Sequence, residues 1–558
     1  MTEQNKVLVI GLDGATFNVI KPLLKEGRLP NLKRLVEEGS HGNLVSTTPP
    51  LSPVAWTSFI TGSNPEKHGI YDFLMRKGNE GYTVKFSNGS DRKVKPIWEI
   101  INKTGGKLVG IVNVPMSYPP DIVNNFIISG FDAPGTDSSS MHPSELYGEI
   151  LERFGNYIIE PKYSRKIINN VPYCTDIILK TIEHRTDVVE YLMSRYEWDF
   201  FMVVFLATDR VQHFFWKYID PKHPQYNKRR FSSQDNPIFR IYEKMDTVIG
   251  RLRKIAGNNV TTVIVSDHGF GPVYKFVSIN DWLLSKGYMS LKNNSFNTKL
   301  AVNFLKKLTP RPIRSKIKHL LRKNSEKNGT ETMELFQNVD WSKTIAFSEG
   351  VSARIFINTP SLNFGAATEN KKDYNKIRER LILELMNLKD PDNGEKVVER
   401  ILKKEDVFKD IALENAPDLL IEFKSGYTSS RVTFEDLQII KPSWNNKIIR
   451  AHKDMSGDHE KNGILIMHGN YIKKGLELSG ASIVDLAPTF LYLMNIPIPK
   501  KMDGIVLTPW IDEDFLRSNA ISFSESTDDT FERNKDDIRY SKKDECLIKK
   551  RLQSMGYM

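Results

Sequence analysis

Three short, nearly continuous apolar stretches stand out along the chain, and an acidic residue follows each of them. The stretches Lys6–Leu12, Phe200–Leu206 and Val260–Val265 lead to Asp13, Asp209 and Asp267, respectively. Apolar runs of this length are typical of strands that are buried on both faces of a parallel sheet. The carboxyl ends of such strands share one edge, where ligands bind. The three carboxylates are therefore predicted to converge there, although each one alone could simply cap a following helix.

Helical patterns alternate with strand patterns along most of the chain. Helices are predicted over Phe17–Lys25, Asn31–Glu38, Thr175–Arg195, Ile238–Ile255, Tyr374–Leu388 and Ile483–Met494. Further strands are predicted over Gly106–Val112, Phe126–Ile128, Thr344–Phe347, Arg354–Ile357, Asp418–Phe423 and Gly463–Met467. This alternation predicts an α/β fold with a doubly wound, mostly parallel central sheet that is flanked by helices.

Changes in pattern indicate how the chain is divided. The expected parts are a catalytic core (1–287 and 336–512, with cap elements within 73–198), a basic helical insertion (288–335) and a charged tail (513–558). The insertion holds two amphipathic pieces, Thr298–Leu308 and Ile313–Leu321, and the tail is predicted to end in a helix over Asp544–Met555.

Composition favours a folded protein with a large core. The chain has 558 residues, of which 40% are hydrophobic and 26% are charged, so bulk disorder is not expected. Its two cysteines, Cys174 and Cys546, form no disulfide framework, which fits a reducing compartment. The N-terminus lacks a basic segment followed by a long apolar one, and no apolar run approaches the ~20 residues that span a bilayer. We therefore expect a soluble, cytoplasmic protein.

The positive charge is concentrated in one segment. The formal net charge is +11, and residues 286–327 hold twelve Lys or Arg side chains against one acidic residue, Glu326. A basic patch of this kind indicates an anionic partner, and we expect contact with an anionic lipid or polyanion, including peripheral membrane contact. The alternative is a solvated helical face, and no specific nucleic-acid motif is present.

Ser52 is the candidate nucleophile. It precedes Pro53 and a helix-compatible run, Val54–Ile60, which predicts a serine that caps the helix. A hydroxyl at that position faces unpaired N–H groups and the positive end of the helix dipole, which favours a bound phosphate. A plain cap remains the alternative, and Thr47 and Thr48 are alternative nucleophiles.

Acidic and histidine side chains recur at spacings that suit metal ions. Asp209 and His213 are four residues apart and can face one ion from a helix, whereas Asp267 and His268 are adjacent at a strand end. His459 lies in a predicted loop before Gly463–Met467, with His452 as the alternative ligand. The seven candidate donors are Asp13, Ser52, Asp209, His213, Asp267, His268 and His459. Seven donors without a thiolate indicate two divalent cations, with Zn²⁺ favoured and Mn²⁺ as the alternative, clamping a phosphoryl group.

These motifs resemble the alkaline phosphatase superfamily, and within it most closely the type I phosphodiesterase/nucleotide pyrophosphatase branch. They are, in order, Gly11-Leu12-Asp13-Gly14, Ser52 ahead of Thr61-Gly62 and Pro65-Glu66-Lys67-His68-Gly69, Asp209 with His213, Ser266-Asp267-His268-Gly269 and Gly457-Asp458-His459. The resemblance covers Lys6–Leu507 apart from the basic insertion. It implies one ion held by Asp209, His213 and His459, and a second ion held by Asp13, Ser52, Asp267 and His268.

The same resemblance implies an activity. A hydrolase of phosphodiester or pyrophosphate bonds is expected, acting on a small phosphorylated substrate such as a nucleotide through a phospho-serine intermediate that water hydrolyses. The rival interpretations are a phosphoryl or headgroup transferase or phosphomutase that uses the same site, and a non-catalytic scaffold on the same fold.

One departure from the family pattern leaves the substrate open. Diesterases of this branch tend to have an asparagine three residues after a threonine nucleophile, and Ala55 stands at that place here. The oxyanion contact is then expected from a backbone N–H at Pro53–Val54, from Asn113, which would bind substrate, or from no group at all. Nucleoside-binding residues do not carry over, and the absence of a Cys-x-Pro-x-Arg motif disfavours a sulfatase.

Overall fold

The computed structural model describes twelve stretches of the chain: 5–76, 83–227, 230–292, 333–334, 336, 339–349, 352–362, 371–408, 416–429, 448–451, 455–525 and 540–555. Both amphipathic pieces predicted for the basic insertion, Thr298–Leu308 and Ile313–Leu321, lie outside these residues, and so does His452.

A ten-stranded sheet forms the centre of the fold. In spatial order its main path is Leu476–Glu477, Ser40–Val45, Asn462–His468, Val260–Val265, Lys6–Leu12, Phe200–Phe205, Val109–Val114, Asn125–Ser129 and Met141–His142, and Ala481–Ser482 pairs with Ser40–Val45. The five strands from Val260–Val265 to Asn125–Ser129 are mutually parallel. Asn462–His468 is antiparallel to both of its neighbours. The predicted doubly wound, mostly parallel sheet is confirmed.

Helices pack against this sheet and share its hydrophobic core. The α-helices are Phe17–Lys25, Pro30–Glu38, Ser52–Thr61, Pro65–His68, Ile97–Lys103, Leu146–Phe154, Arg165–Asn169, Val171–Arg195, Ala207–Phe215, Pro237–Ala256, Ile279–Ser285, Lys371–Met386, Lys404–Val407, Leu486–Leu493, Glu513–Ser518 and Lys542–Ser554. None of the described helices is long and apolar enough to cross a membrane.

The central strand, Lys6–Leu12, packs closely against the Ser52–Thr61 helix. Lys6–Leu12 is buried almost throughout, between Phe200–Phe205 and Val260–Val265. A Cβ at Gly11 would lie 2.7 Å from the ring of Trp56, so the glycine is required for this ring to pack over the strand. The strand end and the Ser52–Thr61 helix are thereby brought together.

A second, antiparallel sheet follows the central one in the chain. Its strands are, in spatial order, Ala346–Ser348, Arg354–Ile357, Leu419–Phe423 and Val398–Lys403. It packs with the Lys371–Met386 helix around a hydrophobic cluster of its own. Two ion pairs join this unit to the segment after Gly69: Arg354 with buried Asp72, and Arg76 with Glu349.

Smaller sheets complete the described fold. One joins Gly426–Ser429, Gly269–Val277, Ile449–Ala451 and Gly457–Glu460; the others join Leu74–Arg76, Thr83–Phe86 and Met333–Glu334, and Ile498–Pro499 with Phe523–Ser524. The tail helix Lys542–Ser554 is docked by Ile548 and Leu552, which are buried in the main core. Arg551 of this helix donates to the Phe131 carbonyl at 2.6 Å.

Asp246 caps a helix to which it does not belong. The Pro30–Glu38 helix has no side-chain cap of its own. Asp246, on the Pro237–Ala256 helix, instead accepts the N–H groups of Leu32 at 2.7 Å and Asn31 at 3.2 Å.

We expect Asp246→Ala to lower the free energy of unfolding by about 1–3 kcal/mol, because buried N–H donors lose their acceptor. Urea unfolding measures this, with the exposed Thr247→Ala on the same helix as control; equal losses for both variants would contradict it.

Candidate metal centre

Ser52 is the first residue of its helix, not its cap. Leu51 has an extended backbone (φ −111°, ψ 134°) and is the N-cap, so the predicted position of the cap is wrong by one residue. The helix begins earlier because the Leu51 carbonyl already accepts the N–H groups of Val54 and Ala55, at 3.0 and 2.8 Å. The Ser52 hydroxyl faces the acidic and histidine side chains at the sheet edge.

Three imidazole rings are anchored to the backbone in the same way. The Nδ1 atoms of His213, His268 and His459 lie 2.9, 3.0 and 2.9 Å from the carbonyl oxygens of Gly457, Gly269 and Pro50. A carbonyl oxygen only accepts hydrogen bonds, so each Nδ1 carries the proton, and in the neutral ring each Nε2 keeps a free lone pair. Metal-binding histidines are commonly fixed in one tautomer by such a contact.

Two of these lone pairs meet at one carboxylate oxygen, Oδ1 of Asp209. His213 Nε2 lies 3.3 Å and His459 Nε2 lies 3.1 Å from that oxygen, and the two nitrogens are 3.1 Å apart. Asp209 and His213 are one turn apart on the Ala207–Phe215 helix, as their spacing predicts. With both rings neutral, the two nitrogens and the oxygen would all be acceptors, and either a proton on one Nε2 or a cation held among them removes the resulting repulsion.

The remaining four candidates form a second group beside the first. Ser52 Oγ lies 3.2 Å from His268 Nε2 and 3.5 Å from Asp13 Oδ1. His268 Nε2 lies 3.3 Å from Asp267 Oδ2 and 3.7 Å from Asp13 Oδ1. The rings of His268 and His459 stack with centroids 3.7 Å apart, which joins the two groups. The structure therefore brings all seven sequence-derived candidates to one place.

Crowding shifts the ionisation of these groups. Burial, reinforced by the charges of Asp267 and Asp209, raises the pKa of Asp13 well above its usual range, and burial does the same to the pKa of Asp267. Burial also opposes ionisation of Asp209, but His213 and Arg210 outweigh it and hold the pKa of Asp209 well below its usual range. Burial lowers the pKa of His268, so its ring is neutral and its lone pair is available.

This set of donors fits divalent cations. Carboxylate oxygens, imidazole nitrogens and a hydroxyl, without a thiolate, suit Zn²⁺ and Mn²⁺. Ligating atoms come within 4.8 Å of one another in three groups: Asp13, Asp267 and His268; Asp209, His268 and His459; and His213, Asp458 and His459. Asp458 in the last group is a neighbour that the sequence analysis did not single out.

Two side chains that contact the centre were missed by sequence reasoning. Trp56 is fully buried, and its indole N–H donates to Asp13 Oδ2 at 2.8 Å. Arg210 donates to Asp209 Oδ2 at 2.6 Å and lies 3.4 Å from the buried Glu160. Trp56 stands four residues after Ser52, so helical spacing could have placed it near the nucleophile. For Arg210, no local pattern in the sequence indicated its contact with the distant Glu160.

Two further predictions meet different outcomes. His459 lies on the strand Gly457–Glu460 rather than in a loop, because this polar segment pairs with residues of the distant Gly269–Val277 strand. Asn113 is fully buried with a positive φ of 59°, and its amide donates to the Val204 carbonyl at 2.9 Å. One of its N–H groups is thus engaged in holding the sheet, and its role in substrate binding stays a prediction. The Val54 N–H, considered for the oxyanion, donates to Leu51.

Fold and side chains together define a class of protein: a metal-dependent hydrolase built on an alkaline phosphatase-like α/β sheet. A family model described as type I phosphodiesterase/nucleotide pyrophosphatase matches residues 7–453, which is most of the chain. The chain belongs to this family, within the alkaline phosphatase superfamily, and is a phosphoric ester hydrolase.

Solved structures that are similar to this chain share little of its sequence. A phosphonoacetate hydrolase from Sinorhizobium meliloti 1021, in complex with phosphonoformate, is 14% identical with a TM-score of 0.53, over 88% of this chain and 95% of that one. Human ectonucleotide pyrophosphatase/phosphodiesterase 5 is also 14% identical, with a TM-score of 0.49, over 91% of this chain and 100% of that one. A search of curated proteins finds no match.

The raised pKa values of Asp13 and Asp267 predict how cation binding depends on pH. Without a cation, folding makes these two carboxyls harder to ionise, so they hold extra protons in the folded protein, and their contribution to its stability falls as pH rises above about 4. A cation must displace those protons, and its affinity should rise about tenfold per pH unit for each one displaced. Thermal melting of chelator-treated protein should therefore show a larger rise in Tm with Zn²⁺ or Mn²⁺ at pH 7.5 than at pH 5.5.

Asp13→Asn is the control for this experiment, because it removes one of the displaced protons together with one ligand. Its Tm rise should be smaller and less dependent on pH than that of the wild type. Equal rises at both pH values in the wild-type protein would contradict the assignment.

Proposed function

We propose that this enzyme hydrolyses phosphodiester or pyrophosphate bonds through a phospho-serine intermediate on Ser52, at a site that holds two divalent cations. The observation that carries the proposal is the set of three Nε2 lone pairs and three carboxylates grouped around one serine hydroxyl. Carboxylates, imidazoles and a hydroxyl at such close range suit cations and, through them, a phosphoryl group.

The residues divide between two cation sites. Asp209, His213 and His459 would hold one ion, and Asp13, Ser52, Asp267 and His268 would hold the other. The ions would lower the pKa of the Ser52 hydroxyl and offset the negative charge of the phosphoryl oxygens. Zn²⁺ is favoured by the mixture of nitrogen and oxygen donors, with Mn²⁺ as the alternative.

Ser52 then attacks the phosphorus atom. The bond between phosphorus and the ester or anhydride oxygen breaks as the bond from the Ser52 oxygen to phosphorus forms, and the leaving alcohol or phosphate takes up the proton that the Ser52 hydroxyl gives up. Water subsequently cleaves the phospho-serine, which returns the Ser52 hydroxyl and releases the phosphorylated product. Ser52 begins a helix whose dipole is positive at this end, and this favours the negatively charged groups that gather there.

Surrounding side chains keep the acceptors in place. The Trp56 N–H fixes Asp13 Oδ2, which leaves Oδ1 to face Ser52 and His268. Arg210 likewise fixes Asp209 Oδ2 and leaves Oδ1 for the two imidazoles. Each carboxylate thus presents its Oδ1 atom to the centre, which orients the lone pairs of that oxygen before substrate arrives.

The natural substrate is a small phosphorylated compound. A screen of mono-, di- and pyrophosphate substrates against Zn²⁺, Mn²⁺ and Mg²⁺ would define it, and product analysis would reveal a phosphorylated acceptor if the enzyme were a transferase. Cytoplasmic location and contact of residues 286–327 with an anionic lipid or polyanion remain predictions from the sequence.

Replacing Ser52 tests the nucleophile. We expect Ser52→Ala to lower the turnover of bis(p-nitrophenyl) phosphate by at least about a thousandfold, because the covalent route is lost. Metal content, measured by elemental analysis, should stay largely intact because six ligands remain. Thr47→Ala is the matched control, since the Thr47 hydroxyl is engaged with the Pro49 carbonyl at 2.8 Å. Unchanged turnover in Ser52→Ala would remove Ser52 from the mechanism.

Replacing Arg210 tests how Asp209 is positioned. Arg210→Gln should weaken the binding of one of the two cations about 10- to 100-fold, as is usual when the partner of a metal ligand is lost. Titration with a competing chelator measures this, and two ions should still bind at saturation. Arg92→Gln is the control, because Arg92 is also a buried arginine paired with a carboxylate, Asp121, at 2.8 Å. Equal weakening in both variants would indicate only a general loss of stability.

A further inference from the structure

The candidate metal centre is nearly closed to solvent, and a cavity lies beside its most exposed member. The side chains of Asp13, Asp209, His213, Asp267 and His268 are at most 1% exposed, whereas that of His459 is 5% exposed. A cavity of about 380 Å³ is lined by His459 and by Thr48–Leu51, the loop that leads into Ser52. This volume is typical of small-molecule sites and exceeds what a phosphate alone requires.

Two parts of the fold form the walls of this cavity. The small sheet around Gly269–Val277 contributes residues 271–273 and 426–429 and, with the turn that follows it, 458–462; the second sheet and the turn after it contribute 352–354 and 420–425. A substrate whose phosphorus atom lies at Ser52 and that extends past His459 would place the rest of its structure between these walls.

Glu460 differs from the other two acidic side chains of the cavity, which are both paired within the described residues. Of the other two acids, Glu422 is paired with Arg400 at 2.5 Å, and Asp458 accepts the Thr428 hydroxyl at 2.6 Å. Within the part of the chain that the structure describes, the Glu460 carboxylate makes no hydrogen bond or ion pair. Its lone pairs are therefore available to a ligand in this cavity.

Gly271 makes room for this carboxylate. The two residues lie on paired strands, and a Cβ at Gly271 would be 1.8 Å from Glu460 Oε1. The contact involves the far end of a flexible side chain, and Gly271 does not have a positive φ, so an alanine there would fold and displace the carboxylate.

Charge and hydroxyl groups define what the cavity suits. Its lining has three acidic side chains and three basic ones, Arg354, Lys424 and Lys461, so the lining is balanced and does not favour a cationic ligand. Ser352 Oγ is buried and has no hydrogen-bond partner among the described residues. An unpaired carboxylate and an unpaired hydroxyl suit a neutral group that both donates and accepts hydrogen bonds.

We propose that this cavity binds a polyol or sugar group esterified to the scissile phosphate, and that Glu460 determines specificity by accepting hydrogen bonds from its hydroxyls. The inference rests on the proposed diesterase function and adds a substrate class to it. Glu460 takes no part in bond cleavage, so its removal changes the choice between substrates and not the reaction itself.

The test compares p-nitrophenyl phosphodiesters of glycerol, ethanol and choline. The wild-type enzyme should have a kcat/KM for the glyceryl diester about 10- to 100-fold above that for the ethyl diester, the effect of a hydrogen bond to a charged group. Glu460→Ala should bring this ratio close to one and leave the ethyl diester and the metal content unchanged. Gly271→Ala should lower the ratio in the same direction while the carboxylate is retained.

Glu477→Ala is the matched control. Glu477 lies on the short strand at the edge of the central sheet, and its exposed carboxylate is paired with Lys21. It should keep the wild-type ratio. A ratio that survives Glu460→Ala, an equal fall for both diesters, or a preference for the choline diester would each overturn the inference and leave the diesterase function standing. Absence of Ser52-dependent turnover with every diester would instead contradict the proposed function, and the inference with it.

Discussion

Mutual repulsion among buried acceptor atoms at one edge of the central sheet is the constraint on which the rest of the site depends. Parallel strands end there together, so Asp13 and Asp267 are brought side by side by the same topology that makes the core. The next strand leads into the helix that carries Asp209. Rotation of the imidazoles does not relieve this crowding, because each ring is tied to a carbonyl and turns its Nε2 inward. Arg210 offsets the charge of Asp209 only, so Asp13 and Asp267 are left for protons or for cations to neutralise.

The surrounding polar contacts are best understood as a response to that constraint. Trp56 and Arg210 each engage one oxygen of an aspartate, so the carboxylates are held with the other oxygen toward the centre. Glu160 lies against the buried guanidinium of Arg210, which keeps that positive charge from being isolated in the core. Close packing is part of the same arrangement, because Gly11 has no side chain and so leaves room for the ring of Trp56, whose N–H donates to Asp13. The crowded polar groups at the centre thus destabilise the fold, and the packing around them offsets this.

How much of this could be predicted from the sequence depended on whether the signal was local. Lys6–Leu12 and Val260–Val265 were predicted with the bounds that the structure has, because an unbroken apolar run has few alternatives to a buried strand. The seven donors that meet at the sheet edge were found from strand ends, spacing and a family resemblance. By contrast, the His459 strand is polar and owes its form to pairing with a distant segment, so periodicity could not reveal it. Ser52 was predicted as the N-cap but is the first residue of the helix, because helix propensity does not determine which carbonyl accepts the first helical hydrogen bond. The contacts of Arg210 and the cavity beside Glu460 join segments far apart in sequence, and only the folded chain displays them.

The position of Asn462–His468 in the sheet has a consequence for biosynthesis. This strand lies between Ser40–Val45 and Val260–Val265, although it is made some two hundred residues after the second of them. While the ribosome is still translating the middle of the gene, those two strands each have an unpaired edge, and such edges are prone to join other chains. The emerging polypeptide therefore has to be kept from aggregating until its last third is available. For the same reason, a fragment that ends where the family match ends, at residue 453, would lack both this strand and His459.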